Sequence, residues 1–136
     1  MTSTFSDYVP SVIINLTQHP ATPEQKAQGV FDCEGEKLEL LKRLLTFDEL
    51  PSQLEVESRA AALAYFASDA SPDAGVGAAM IGGAPYLMAT LECQLRQHCI
   101  QPVYAFSKRV SEEKVMPDGS VQKINVFKHI GFVTGA

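Results

Sequence analysis

Short apolar runs alternate with helical segments along most of this chain, and this alternation constrains the fold more than any other feature. Residues 11–16 and 76–81 read as buried strands, because each is a brief apolar run bounded by polar residues or glycine. Residues 36–47, 52–68 and 85–98 carry apolar side chains at helical spacing. Such alternation is typical of a mainly parallel sheet that is covered by helices on both sides.

Helix starts are marked by local capping patterns. Thr22 and Gln25 form a capping box, in which a hydroxyl caps the helix and an amide reaches back to it. Ser52 and Glu55 have the same spacing and predict a second capping box. A further short strand is expected at residues 30–32, although three residues are a weak signal.

The end of the chain has the pattern of a hairpin. Residues 102–115 and 121–133 are strand-like, and Pro117-Asp118-Gly119 between them is a turn signal. A length of 136 residues fits one domain. The sequence therefore predicts a flexible lead-in over residues 1–10. Residues 11–136 are expected to form a small three-layer α/β domain, Rossmann-like, with a mainly parallel sheet and a C-terminal antiparallel hairpin.

Composition excludes several classes of protein. Apolar residues make up 46% and charged residues 20%, which rules out intrinsic disorder. The formal net charge of −5 argues against general binding to double-stranded nucleic acid. Residues 74–91 are the longest uncharged stretch, but their glycines and proline make a poor membrane span. Three cysteines without a CxxC pair, and no visible export signal, predict reduced thiols in a cytoplasmic protein without a metal or cofactor.

The first candidate site follows the opening strand. Ligands of open α/β sheets bind beyond the carboxyl ends of the strands, and Asn15, Thr17, Gln18 and His19 place amides, a hydroxyl and an imidazole there. We expect Asn15, Thr17 and Gln18 to bind a ligand and His19 to transfer a proton. The alternative is that Thr17 and Gln18 satisfy local backbone groups and that His19 is an ordinary surface residue.

The second candidate site follows the strand at residues 76–81. Gly82 and Gly83 allow the backbone to approach a ligand, and the helix that begins after them favours an anion. Tyr86, Lys108 and Arg109 are expected beside them, with Arg109 binding phosphate and Lys108 in a catalytic or electrostatic role. A plain tight turn would explain every residue of the glycine segment except Tyr86.

The glycine turn also carries a resemblance. Gly82-Gly83 and Met88 are similar to the turn of the CRISPR-associated Rossmann-fold (CARF) domains, which typically reads Gly-Gly-Thr-Lys-x-Met and contacts a cyclic oligoadenylate. Ala84-Pro85 stand here in place of Thr-Lys. Residues 16–25 resemble the opening of small ring-nuclease families related to CARF domains. The whole chain also resembles short proteins encoded in prophages.

Two functional hypotheses follow. In the first, the domain binds a small anionic ligand or nucleotide, and this function extends to metal-independent cleavage of a cyclic oligonucleotide. The second is a non-enzymatic prophage accessory protein that binds another protein through an exposed strand edge or the hairpin tip at residues 112–120. A homodimer is compatible with both. The first hypothesis requires Thr17–His19 to lie on the order of 10 Å from Gly82–Tyr86, since parallel strands end at the same edge of a sheet.

Overall fold

The computed structural model describes residues 12–70 and 76–135. These residues form five strands and four helices, in the order β1 (Ile13–Leu16), α1 (Pro23–Ala27), β2 (Val30–Phe31), α2 (Gly35–Leu45), α3 (Gln53–Asp69), β3 (Ala78–Ile81), α4 (Pro85–Gln97), β4 (Gln101–Val115) and β5 (Val121–Thr134). The expected lead-in at residues 1–10 lies outside the described residues.

One mixed sheet organises the chain. Its strand order is β2-β1-β3-β4-β5. β1 pairs in parallel with β2 and β3, β3 pairs in parallel with β4, and β4 pairs antiparallel with β5. The predicted fold class is therefore confirmed, as an α/β domain with a mostly parallel sheet that ends in an antiparallel hairpin.

The helices cover the two faces of the sheet unequally. The chain leaves β1 toward one edge of the sheet and leaves β3 toward the other, so consistent crossover handedness places α1 and α4 on opposite faces. Ile14, Leu16, Ala79 and Ile81 form one buried cluster with apolar side chains of α2, α3 and α4. The other face carries a smaller buried cluster, which contains Ile13, Ala78, Met80 and Val103. Ala21, which lies just before α1, also belongs to this cluster. Most of the apolar core thus lies on the α2–α4 side.

Capping explains where two of the helices begin. At α1, the Thr22 hydroxyl accepts a hydrogen bond from the Gln25 backbone N–H, and the Gln25 side chain accepts one from the Thr22 N–H, which confirms the predicted capping box. At α3, the Ser52 hydroxyl accepts from the Glu55 N–H. The Glu55 side chain does not return to the cap, because its carboxylate pairs with Arg59 at 2.7 Å. Only half of the second predicted capping box is therefore present.

The hairpin of β4 and β5 extends well beyond the rest of the sheet. β3 pairs with β4 only along Gln101–Val103, whereas β4 and β5 stay paired as far as Val115 and Val121. A β-bulge lies between Phe106 and Ser107. We call the segment beyond this bulge, residues 107–129, the arm. Nine residues of β4, from Ser107 to Val115, give it a length of about 30 Å.

Candidate functional site

The carboxyl ends of β1 and β3 lie side by side. Leu16 pairs with Ile81, so the residues that follow the two strands leave from the same edge of the sheet. A methyl group built on Gly82 would lie 3.7 Å from the Thr17 Cγ2 atom, which shows that the two loops touch. The expected proximity is therefore confirmed. This edge is also where the chain reverses its direction of travel across the sheet, the usual ligand site of open α/β folds.

A cleft of about 580 Å³ opens at this edge. Its volume is within the range of about 300–1,000 Å³ that is typical of small-molecule sites. Its lining comes from the loop after β1, from α1 and its cap, from the end of α2, from the end of β3 and the turn after it, and from β4. The lining residues are Thr17, Gln18, His19, Pro20, Thr22, Gln25, Leu45, Met80, Ile81, Gly82, Gly83, Ala84, Tyr104 and Ala105.

Asn15 positions the first loop and does not line the cleft. Its side chain is 3% exposed and uses its full hydrogen-bonding capacity. The Asn15 Nδ2 group donates to the His19 carbonyl and to Asp32 Oδ1, both at 2.8 Å. Its Oδ1 atom accepts from the Thr17 backbone N–H at 2.9 Å and lies 2.7 Å from the Thr17 hydroxyl. The expected ligand role of Asn15 is replaced by that of a positioning residue.

The remaining residues of the loop do line the cleft, and their side chains differ in how many hydrogen bonds hold them. The Thr17 hydroxyl is held by Asn15 and accepts from the His19 N–H at 3.3 Å. The Gln18 side chain donates to the Thr46 hydroxyl at 3.2 Å, which ties the loop to the end of α2. The His19 imidazole is exposed and makes no hydrogen bond with any residue in the described ranges. His19 is therefore the loop side chain most available to a ligand.

The glycine turn brings backbone rather than side chains to the cleft. Gly82, Gly83 and Ala84 line it, and α4 begins directly after them with Pro85. No side chain caps this helix, and its first turn holds no acidic residue. The partial positive charge of the helix N-terminus is therefore not offset by an acidic side chain of α4 itself, which favours a negatively charged or strongly polar ligand.

Gly83 has a backbone φ of +142°, a conformation that is nearly restricted to glycine. We expect Gly83→Ala to lower the free energy of unfolding by about 1–3 kcal/mol, because of backbone strain. Steric crowding makes no contribution, since an added methyl would lie 4.0 Å from the nearest atom, Met88 Cε. Urea denaturation followed by circular dichroism measures the change. Gly131→Ala is the control, because it adds a methyl into open space at a glycine without positive φ.

Tyr86 does not line the cleft. Its ring packs edge-on against Phe47 with centroids 5.3 Å apart, and the Arg59 guanidinium lies 4.2 Å from the centre of the Phe47 ring. Arg59 also donates to the backbone carbonyls of Arg43 and Thr46. The contact with Phe47, which lies just after α2, thus accounts for the position of the Tyr86 ring, and the prediction that Tyr86 contributes to a ligand site is not supported by this position.

Lys108 and Arg109 also fall outside the cleft lining. Both are exposed on the arm, where Lys108 pairs with Lys128 and Arg109 with Phe127. β4 does run parallel to β3, as the prediction required, but these residues come after Ala105, where β4 leaves the cleft. Their expected roles, Lys108 in catalysis and Arg109 in phosphate binding, are therefore corrected: the structure places them on a different surface.

Tyr104 is a cleft residue that sequence reasoning did not select. Its hydroxyl donates to Glu92 Oε2 at 2.8 Å. Burial and this interaction with Glu92 raise the pKa of Tyr104 to about 12, so its phenol stays protonated at neutral pH. Its place among the apolar residues near the start of β4 is the sequence signal for it. The contact with Glu92 on α4 cannot be read from the chain.

Asp32, which directly follows β2, supports the loop after β1. Its carboxylate accepts from the Ala21 N–H at 3.0 Å and from Asn15, and Lys26 Nζ lies 3.9 Å away.

Among the described residues, no three His, Cys, Asp or Glu side chains are grouped so that they could hold a metal ion. No helix in that same part of the chain is both long and apolar enough to cross a membrane.

Comparison with known proteins identifies a family. No curated protein and no solved structure is significantly similar to the chain. A family model matches residues 11–133, which include both cleft loops and the whole arm. The chain therefore belongs to the uncharacterized protein MJ1673 family.

Proposed function

We propose that the cleft binds a small phosphate-bearing ligand of the nucleotide class. The observation that carries this proposal is the convergence, around one cleft of about 580 Å³, of the Thr17–His19 loop and the uncapped N-terminus of α4. The backbone N–H groups of such a helix N-terminus favour phosphate oxygens. A side chain that donates and accepts hydrogen bonds, such as the His19 imidazole, suits the rest of a nucleotide.

The charge of the lining narrows the class of ligand. None of the residues that line the cleft is a lysine, an arginine, an aspartate or a glutamate. Recognition of phosphate would therefore depend on backbone N–H groups and neutral donors instead of Lys or Arg. A ligand with one or two phosphate charges fits such a site better than a triphosphate, whose charge calls for cations.

The apolar part of the lining suits a flat ring. Leu45, Met80, Ile81 and Ala105 give the cleft walls without hydrogen-bonding side chains, and Tyr104 adds an aromatic ring. Gln25 supplies an amide whose Nε2 group makes no hydrogen bond with any described residue. Apolar walls with a few polar groups are typical of small-molecule sites, and a nucleobase has this mixture of a flat face and a polar edge.

The proposal extends to metal-independent cleavage of a cyclic oligonucleotide. In that reaction a ribose 2′-hydroxyl of the ligand attacks the adjacent phosphorus, the 2′ proton goes to a base, and the 5′ oxygen leaves with a proton. His19 is the cleft side chain whose ring nitrogens could take the proton from the 2′ oxygen and return one to the 5′ oxygen. The α4 N-terminus would stabilise the charge that develops on the phosphate.

A thermal-shift and calorimetric series tests binding. The probes are inorganic phosphate, mononucleotides and cyclic dinucleotides and oligonucleotides. A ligand present at 100 times its Kd stabilises the folded state by about 2.7 kcal/mol, which raises the Tm measurably. We expect Gly82→Ala to weaken binding at least about tenfold, because its methyl narrows the cleft beside Thr17. Gly131→Ala adds a methyl into open space at a residue that does not line the cleft, so this variant should keep the affinity of the unmodified chain.

Binding and cleavage are separated by His19→Ala. If the cleavage proposal is correct, this variant retains binding within a few-fold and loses product formation, measured by chromatography of the nucleotide products. If none of the probes raises the Tm, or if Gly82→Ala binds them as tightly as the unmodified chain does, the proposed site is wrong.

A further inference from the structure

The arm is a two-stranded ribbon without a third strand. β5 is the last strand of the sheet. The edge of β4 that faces β3 is paired with it only as far as Val103. From Ser107 to Val115, the described strands therefore leave that edge of β4 with free backbone N–H and C=O groups. An isolated two-stranded hairpin is at best marginally stable in water, and three or more strands are the usual minimum. Free edges of this kind readily pair with another strand.

The exposed apolar side chains of the arm and its base also indicate an interface. Phe127 is 71% exposed and Val115 is 70% exposed, and Val121 and Ile130 are also more than half exposed. The Arg109 guanidinium lies 5.5 Å from the centre of the Phe127 ring, so an arginine covers part of this aromatic surface. An apolar, two-stranded surface of this length is typical of a protein interface.

The charges along β4 indicate what kind of strand would fit its free edge. Lys108 and Arg109 lie at the base of the arm, and Glu112 and Glu113 lie nearer its tip. A strand with a basic pair at one end and an acidic pair at the other is complementary to itself when two copies run antiparallel. If the copies ran parallel and in register, like charges would face each other, which is destabilising.

We propose that two copies of this chain form a dimer in which the free edges of their β4 strands pair antiparallel, centred on Val110. In this register Lys108 faces Glu112 of the second copy, and Arg109 is diagonal to its Glu113, each contact occurring twice about the two-fold axis. Lys114 falls opposite Phe106. The two arms become one four-stranded ribbon, which removes the exposed edge of β4 in both copies.

The same register brings the second copy to the cleft. Ala105 lies five residues before Val110, so it faces Val115 of the second copy, which lies five residues after it. The turn that follows Val115, at residues 116–120, would then lie beside Ala105 and Tyr104, where β4 borders the cleft. The dimer thus places a segment of each copy at the mouth of the other copy's cleft.

Charge reversal tests the proposal without any ligand. One variant combines Lys108→Glu with Arg109→Glu, and the other combines Glu112→Lys with Glu113→Lys. Sedimentation velocity should show the unmodified chain as a dimer and each variant alone with its dimer Kd raised at least about tenfold, because each contact now joins like charges. An equimolar mixture of the two variants should form a heterodimer about as tight as the original dimer, since every contact again joins opposite charges.

A matched variant distinguishes charge pairing at the arm from a general effect of net charge. Glu39→Lys with Glu49→Lys makes the same change in net charge as Glu112→Lys with Glu113→Lys, at exposed positions outside the arm, and should leave the dimer intact. Circular dichroism checks that all variants stay folded. A monomeric unmodified chain would overturn the proposal. So would a dimer that persists in both charge variants, or variants that stay monomeric when mixed.

Discussion

Replacing Asn15 with alanine is expected to lower the free energy of unfolding by about 3 kcal/mol. The Asn15 side chain is buried and exchanges four hydrogen-bond contacts with Thr17, His19 and Asp32. Its loss removes four part-buried contacts, each worth about 0.5–1.5 kcal/mol, and leaves the Thr17 N–H without its acceptor. Urea denaturation gives the change as a lower midpoint at unchanged m-value.

Gln18→Ala is the matched control for this prediction. Gln18 lies in the same loop but is exposed, and its side chain donates one hydrogen bond of 3.2 Å to Thr46. Its removal should cost less than about 1 kcal/mol. Equal losses in the two variants would show that the Asn15 network does not hold the loop. Because this network fixes the backbone of residues 17–19, Asn15→Ala should also weaken any ligand bound in the cleft.

Leu91→Ala is expected to cost about 3 kcal/mol of stability, within the range of about 2–5 kcal/mol that is typical of such core truncations. Leu91 lies in α4 with 0% of its surface exposed, in the cluster that joins α2, α3 and α4 to the sheet. Removing three carbon atoms there loses their transfer free energy and leaves a cavity that the neighbouring helices only partly fill. Differential scanning calorimetry should show a Tm lower by several degrees.

Leu50→Ala makes the same chemical change in water. Leu50 is 97% exposed, so its truncation should alter the free energy of unfolding by less than about 0.5 kcal/mol. A Tm in Leu91→Ala that stays within a degree of that in Leu50→Ala would contradict the packing described for α4. That packing also positions the N-terminus of α4 at the cleft, so the stability of the core and the geometry of the site depend on the same helix.

Local patterns were sufficient to predict most of the fold. The Thr22–Gln25 capping box involves residues three apart, and its hydrogen bonds form as the pattern indicates. The strands expected at residues 11–16 and 76–81 are present as β1 and β3. A short apolar run bounded by polar residues or glycine is typical of a buried strand, so this pattern was enough to predict them. Their shared direction then placed both loops at one edge of the sheet, so the location of the candidate cleft was also predictable.

Features that depend on distant contacts were not predictable. The length of β3 decides where β4 leaves the sheet, and no local pattern shows that pairing stops at Val103. Lys108 and Arg109 were therefore expected at the cleft, although they lie on the arm. Tyr86 follows the glycine turn directly, but Phe47 on a different segment determines where its ring packs. The contact between Asn15 and Asp32 spans 17 residues and has no signature in the sequence.

The resemblance to CARF domains and the cyclic-oligonucleotide reaction remain predictions. The glycine turn does border a cleft, as that resemblance implies, but Ala84 and Pro85 bring no hydroxyl and no cation to it. Any phosphate bound there would be recognised mainly by the backbone. Binding that survives high salt would fit this picture, since neutral donors are less sensitive to ionic screening than exposed cations are.

β3 occupies the middle of the sheet although it follows both β1 and β2 in the chain. During synthesis, β1 can pair with β2 early, but Ile14 and Leu16 stay without β3 beside them until the residues of that strand have left the ribosome. β4 and β5 pair between near neighbours in sequence, so their mutual contacts do not have to wait for a distant part of the chain. The sheet is thus completed at its centre, when β3 joins the β1–β2 pair to the β4–β5 pair. The cleft is created in that same step.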